Sequence, residues 1–568
     1  MKKKIKALIK KLKQITRNDG NETYARAQFN LGLIYKYKKK DLNKAFKFFS
    51  NILESDSLQI YSKAQYQLAN IYFFHKKKKM KERMKEKMNK KARNYYNEVK
   101  YFSSEPDTYV SARVIIELMD INSKKDSKKD SKKDSKKDLK KDLKKSILTK
   151  IKNISMLVND IKNRLLVSFN LNSSDDDNTE EKEPKQEKEP ERRVAHYTKP
   201  AVLFNLLKGS NPSKFRLNIV DFMNDPSENQ VLTNWLNITN NPNNEIKSFL
   251  ASFTFNHNSL NQFRLYGNED TISGSGVSIA FNKNFFDLDT KRSISNKIAL
   301  AGIKPNISVD NKQIKLETIQ AENKSNDTLY PLPLYRCLYF DPKTGYMSLA
   351  KRNEQSFSLE MYDEENKSFY INDKTERKIY KLIEENKSFY IDDKTESKIY
   401  KLIEENKNDE SIKENKNSYI GNDWKNYIHL LKEEKQIEFI RTYLKIIKKL
   451  MSELLTNKNL QKIPNLEQLL SLSVFPISCL IKHAAFEDED ECRMIYITHI
   501  ADDKIVEPQD YQSTNSLYVE YTHVENYIDN IYLGPNCKAQ HELWLQNHIK
   551  KKQRGKQIRL IKSEVPLR

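Results

Sequence analysis

The sequence predicts a multidomain chain: an all-α module of repeated helices, then an α+β domain. Three observations lead there. A stretch of small and aromatic residues at helical spacing recurs after 37 residues near the N-terminus. An acidic, proline-bearing run over 172–191 has neither helical nor strand periodicity. Beyond it, short alternating apolar segments are separated by helix and turn signals, the mixture expected of an α+β domain. A length of 568 residues exceeds what one core usually organises.

The helical module is assigned to residues 1–122. ARAQFNLGLIY (25–35) returns as SKAQYQLANIY (62–72): Ala27, Gln28, Phe29, Leu31, Gly32, Ile34 and Tyr35 match Ala64, Gln65, Tyr66, Leu68, Ala69, Ile71 and Tyr72. Each copy is followed by a second helical pattern, Ala45 with Phe48-Phe49 and Ala92 with Tyr95-Tyr96. Small residues let paired helices approach, and aromatics fill the space between them. The pattern resembles tetratricopeptide and Sel1-like repeats, which implies a stacked scaffold that binds a protein partner. An ordinary helical bundle fits the same spacing.

Residues 123–171 hold the SKKD repeat and then a basic amphipathic helix. A period of four drifts about 40° per repeat on an α-helix, so SKKD reads as solvated helix or disorder. From Ile147 the apolar residues Ile151, Ile154, Leu157, Ile161 and Leu165 keep helical spacing. They suit packing on the repeats, or a membrane-surface helix. The segment 172–191 reads as a disordered acidic linker.

The charge is unevenly placed. The chain has 101 Lys+Arg against 77 Asp+Glu, a net charge of +24. Residues 1–170 carry +27, residues 171–191 carry −6, and the basic tail 550–568 carries +7. Attraction to nucleic acid or an anionic membrane would therefore belong to the N-terminal third and the tail. Composition excludes several classes. There is no apolar run long enough to span a bilayer, no signal-peptide pattern, and no Walker, zincin, serine-hydrolase or EF-hand motif. Four Cys without C-x-x-C spacing read as reduced thiols in a cytoplasmic protein without structural zinc. Export as an effector is not readable.

The α+β domain is assigned to 192–549. A strand ending at His196-Tyr197-Thr198 precedes a helix from Pro200 to about Gly209. Asn224-Asp225-Pro226 is a turn signal with Glu228 after it. Strand, helix, turn and strand then fill 249–281, with Gly267, Gly274 and Gly276 close together. Residues 364–383 repeat as 384–403 at 18 of 20 positions, the centre of an insertion spanning about 350–425. IKHAAFEDEDECRMIYI (481–497) sets Glu489, Glu491 and Arg493 on one side of a strand by alternation. An internal Glu491–Arg493 pair is the plain expectation there. These blocks, in order, resemble a bacterial family catalogued as domain of unknown function number 2971. Its pattern is matched by His196 to Thr198, Asn224 to Glu228, Ser252 to Thr254, Phe263 to Gly267, Gly276 to Phe281, Lys482 to Arg493, and IYLGPNC (531–537).

The residue types also resemble the ADP-ribosyltransferase plan. That likeness implies NAD as co-substrate, with His196, Tyr266 and Glu491 as catalytic residues. His196 would hold a ribose hydroxyl, Tyr266 or Phe281 would stack on nicotinamide, and Glu491 would oppose an oxocarbenium. Thr198 would line the cofactor site, and Arg264 and Arg493 would meet the pyrophosphate. No metal and no tightly bound cofactor is expected. A non-enzymatic adaptor and a nucleic-acid binder acting through the basic third are the alternatives. Convergence of His196, Arg264, Tyr266 and Glu491 on one pocket is the geometric feature that separates enzyme from adaptor.

Overall fold

The computed structural model describes residues 2–75, 82–126, 135–167, 194–209, 211–222, 229–238, 245–286, 306–309, 312–315, 329, 331–350, 423–507, 517–552 and 558–566, with short helical pieces between 377 and 405. The acidic linker, the Asn224–Glu228 turn and most of the duplicated insertion lie outside the described residues.

The N-terminal part is helical. Helices α1 (Lys2–Gln14), α2 (Asn21–Leu33), α3 (Leu42–Ser50), α4 (Leu58–Asn70), α5 (Glu82–Asn97), α6 (Pro106–Asp126) and α7 (Ser135–Leu165) follow one another. Asp41 and Ser57 cap α3 and α4 by accepting from the amides of Lys44 and Ile60. The two matched stretches fold alike. α2 and α4 each end in a five-residue π-helical turn, Ile34–Lys38 and Ile71–His75. Tyr35 stacks on Phe48, and Tyr72 stacks on Tyr95, at centroid distances of 5.2 and 5.7 Å. On α7, Ile147, Ile151, Ile154, Val158, Ile161 and Leu165 are all buried. Protein, not a membrane surface, fills that stripe.

The second part is a mixed sheet with helices. Its elements begin with β1 (Ala195–Thr198), α8 (Pro200–Leu207), β2 (Arg216–Ile219), α9 (Val231–Trp235), β3 (Ile246–Thr254), α10 (Leu260–Leu265) and β4 (Val277–Phe281). A hairpin of β5 (Asn306–Val309) and β6 (Lys312–Lys315) precedes β7 (Leu334–Arg336), β8 (Leu338–Phe340) and β9 (Met347–Leu349). Then come α11 (Asp423–Leu455), α12 (Leu466–Ser471), α13 (Phe475–Ser478), β10 (Ile481–His483) and β11 (Glu491–His499). The chain closes with β12 (Ile505–Val506), β13 (Tyr518–Glu520), β14 (Ile528–Leu533), α14 (Ala539–Lys552) and β15 (Arg559–Lys562).

The main sheet runs β12-β13-β2-β3-β1-β4-β14-β15, with β11 paired to β3 and to β7. A small sheet, β10-β8-β9, lies apart from it. β3 is the strand on which the main sheet forks. β11 follows it along its whole length, from Glu491↔Thr254 to His499↔Ile246. On its other side, β2 takes Phe249 and Leu250, while β1 takes Thr254. Ser252 falls between the two branches.

The helical part and the sheet share one core. Val110, Val114 and the α7 stripe belong to the same apolar cluster as Leu250, Ile440, Leu444, Leu472 and Ile495. Polar contacts reinforce the junction. Tyr101 donates to the carbonyl of Leu472 at 3.0 Å, the Val167 amide donates to Leu334 at 2.9 Å, and the Arg164 guanidinium lies 4.4 Å from the Phe439 ring.

Candidate functional site

Side-chain alternation on β11 sorts its residues. Cys492 and Met494 enter an apolar core with Phe215, Phe253, Ile279 and Phe281. Glu491 and Arg493 point to the opposite face, as period-two geometry requires. Between β10 and β11 a 3₁₀ turn, Ala484–Glu489, ends at Asp490, whose φ of 46° is left-handed. That reversal brings the Glu489 and Glu491 carboxylates to one ammonium, Lys482. Thr254 Oγ1 and Gln262 Nε2 fix the turn by donating to the Glu489 carbonyl at 2.8 and 3.1 Å. The Glu491 amide donates to Tyr339 Oη at 2.8 Å.

The result is a continuous ion-pair chain. Arg493 Nε donates to Glu491 Oε1 at 2.8 Å and Nη2 to Oε2 at 3.0 Å, a bidentate pair. Arg493 Nη1 donates to the Cys479 carbonyl at 2.9 Å. Lys482 Nζ reaches Glu491 Oε2 at 3.0 Å and Glu489 Oε2 at 2.6 Å. Tyr266 Oη completes the chain by donating to Glu489 Oε1 at 3.0 Å. Side-chain exposure rises along it, from 1% at Arg493 through 6% at Glu491 and 7% at Lys482 to 12% at Glu489. Two cations and two carboxylates cancel, which is how a buried charged cluster avoids an uncompensated charge.

Titration follows from that arrangement. Burial alone would raise the Glu491 carboxyl, but the charges of Arg493 and Lys482 and the hydroxyl of Ser252 hold it well below the usual range. Burial alone would lower Lys482, and the two glutamates carry it above its ordinary value instead. Burial, then Glu489, push the Tyr266 phenol upward, so it stays a donor.

His196 lies at the fork. Its Nδ1 is 2.9 Å from the Ser252 carbonyl, and its ring centroid is 5.0 Å from that of Phe215. A carbonyl only accepts, so Nδ1 carries the hydrogen. Burial lowers the ring's pKa, which keeps it neutral. The Ser252 carbonyl takes His196, and Ser252 lies opposite Arg493 in the β3–β11 register.

The other predicted residues are dispersed. Phe281 is buried, 4.2 Å from the Phe285 ring in a stack, and Thr198 is buried at the end of β1. Arg264 is exposed on α10. Tyr266, Glu491 and Arg493 share one network of hydrogen bonds and ion pairs, and His196 bonds the Ser252 carbonyl on the neighbouring strand β3. Arg493 has no exposed surface to offer a pyrophosphate, and Phe281 has little to offer nicotinamide. The clustered glycines serve packing: Gly267 has φ +78°, and a Cβ there would sit 2.4 Å from the Thr198 carbonyl oxygen. Sequence reasoning missed the contributions of Lys482, Thr254, Gln262 and Tyr339. Lys482 and Thr254 stood in motif blocks, whereas nothing local to Gln262 or Tyr339 signals a partner so distant in sequence.

Among the described residues no group of three or more His, Cys, Asp or Glu is arranged to hold a metal ion, and no helix is long and apolar enough to cross a membrane. The four cysteines are buried free thiols. Comparison with protein-family models, with curated proteins and with solved structures finds no match to this chain.

Proposed function

We propose that the chain is a partner-binding adaptor: helical hairpins of tetratricopeptide or Sel1 type take a protein partner, and the α+β domain, of the number 2971 kind, is the body that carries them. One observation supports this over catalysis. Both oxygens of Glu491, the carboxylate an ADP-ribosyl transfer would use, are occupied by Arg493 and Lys482. Freeing them inside the protein would strand the Arg493 guanidinium, because Lys482 alone keeps a second carboxylate, Glu489. The shared apolar core fits the same reading, because it holds the hairpins at a fixed attitude on the domain. The test is incubation of the whole protein with labelled NAD and cell extracts, comparing wild type with Glu489→Gln. Equal background labelling is expected. Labelling by wild type that the variant abolishes would refute the adaptor.

A second reading, an ADP-ribosyltransferase-like or other nucleotide-handling domain, is favoured by the fork itself. There Ser252 bonds His196 and lies opposite Arg493, and Tyr266 with Glu489 forms the more accessible end of the chain. In that reading Glu489, rather than Glu491, meets the ligand.

A further inference from the structure

Helix α8 is apolar on both sides. Of its eight residues, Pro200, Leu203, Leu206 and Leu207 are buried, while Val202 and Phe204 remain 42% and 43% exposed. A helix that packs by one stripe needs apolar residues only on that stripe. Phe204 turns with Ala201 and Asn205 toward α14, and a cavity of about 300 Å³ opens between the two helices. His541 and Trp544 line it from the α14 side. Leu203 and Leu545 seat both helices in the core beneath the sheet, so packing fixes the walls. The cavity shares no residue with the ion-pair chain.

One wall is aromatic. The Trp544 ring stacks on His548 at 5.4 Å between centroids and meets Phe204 at 4.7 Å and 49°. An indole held on both flanks is a fixed apolar surface, and flat rings gain most from such a surface. His541 is the polar end. Its Nε2 lies 2.8 Å from the Glu269 carboxylate, which only accepts, so Nε2 carries the hydrogen. In the neutral ring Nδ1 is then an acceptor, and among the described residues nothing donates to it. Glu269 is itself fixed, its amide donating to Ser275 Oγ at 2.7 Å.

We propose that this cavity binds a small flat aromatic molecule of one or two rings that carries an N–H or O–H on its edge. The ring would lie against Trp544 and Phe204, and the hydrogen would go to His541 Nδ1. The volume stands at the lower end for small-molecule sites, which limits the ligand to one or two rings. An apolar wall discriminates against charge, and a lone acceptor demands a donor. The proposal is independent of what the hairpins bind.

The test is calorimetric titration of the full chain with indole and with 1-methylindole at about pH 8.5, where an ordinary imidazole is neutral. Indole should bind with a dissociation constant of roughly 10 μM to 1 mM, a range open to so small a ligand. Its N-methyl derivative should bind roughly tenfold more weakly. His541→Phe should remove that preference. Ala201→Phe, at an exposed position of the lining, should fill the cavity and weaken both ligands at least roughly tenfold, with the thermal midpoint unchanged. Leu543→Ala, 65% exposed on α14 and outside the lining, should change neither. A short tryptophan-containing peptide should bind no more tightly than indole. Undiminished binding in Ala201→Phe would overturn the site, and no saturable binding of indole would overturn the proposal. Equal binding of the two ligands by wild type would overturn the part given to His541. Tighter binding of the peptide would overturn the small-molecule ligand in favour of a protein side chain.

Discussion

Replacing Arg493 by methionine tests whether the ion-pair chain is a single electrostatic unit. The substitution keeps much of the volume and removes the charge. Glu491 would retain Lys482 but lose both guanidinium hydrogen bonds, and the Cys479 carbonyl would lose its 2.9 Å donor. The site would pass from neutral to one uncompensated negative charge. Breaking a buried pair in this way costs about 3–5 kcal/mol. The globally unfolded population would then rise by roughly two to three and a half orders of magnitude. Removing both partners is different in kind. In Arg493→Met with Glu491→Leu no charge is stranded, Lys482 keeps Glu489 at 2.6 Å, and most of the loss should be recovered. Pulse proteolysis in urea reads the unfolded population without requiring one transition for the whole chain. The exposed pair Lys214–Glu520 is the control, because Lys214→Met should cost at most about 0.5 kcal/mol. The reasoning fails if Arg493→Met lies within about 1 kcal/mol of wild type, or if the double variant is as unstable as the single.

Three further outcomes follow from the same contacts. Because the folded Glu491 carboxyl lies below its unfolded value, its stabilisation is present above the ordinary carboxylate range, about 4.3, and is lost as pH falls. Because Lys482 lies above its own, its contribution is present below about 10.4 and is lost as pH rises. Urea unfolding across pH should show a plateau between those limits, with Arg493→Met losing less stability than wild type on the acid side, because protonation relieves its uncompensated charge. Gly534→Ala should lower the thermal midpoint far more than Gly209→Ala: a Cβ at 534 would sit 2.2 Å from the Gly274 carbonyl oxygen, whereas at 209 nothing lies within 4 Å and only the φ of +51° is costly, about 1–2 kcal/mol. Cleavage at a protease site introduced within 172–191 should leave the two pieces co-eluting on native gel filtration. Each buried apolar side chain of the α7 stripe contributes about 1.5–3 kcal/mol, and separation of the pieces would refute the shared core.

What was legible in the sequence depended on whether the information was local. The helices from Asn21 to Asn97 could be read because Gly32 and Ala69, or Tyr35 and Tyr72, recur within one helical pattern and pack on the next. The Glu491–Arg493 pair followed from alternation on a single strand. The π-helical turns could not be read, since Ile34–Lys38 and Ile71–His75 carry the same apolar and aromatic signals as the α-helices they extend. The motif at His196 gave no face for its side chain, and alternation put Glu491 with Arg493 on one side of a strand without saying which face of the sheet that is. Faces depend on register, Ala195↔Thr254 on one side of β3 and Glu491↔Thr254 on the other. Tyr266 and Tyr339 reach the 482–493 segment from 223 and 152 residues away in sequence, and no spacing rule covers such separations.

The junction gives α7 a role that an acidic linker beside it conceals. Composition draws a boundary at 172–191, yet α7 and the residue after next, Val167, are already joined to the domain: Val167 to Leu334, Lys150 to Glu453 and Arg164 to Phe439. A flexible boundary would let a bound partner sample many positions relative to the sheet, with an effective concentration set by linker length. A packed helix with six buried apolar residues permits no such freedom without breaking the core. Any partner held on the hairpins would therefore face one fixed surface of the α+β domain.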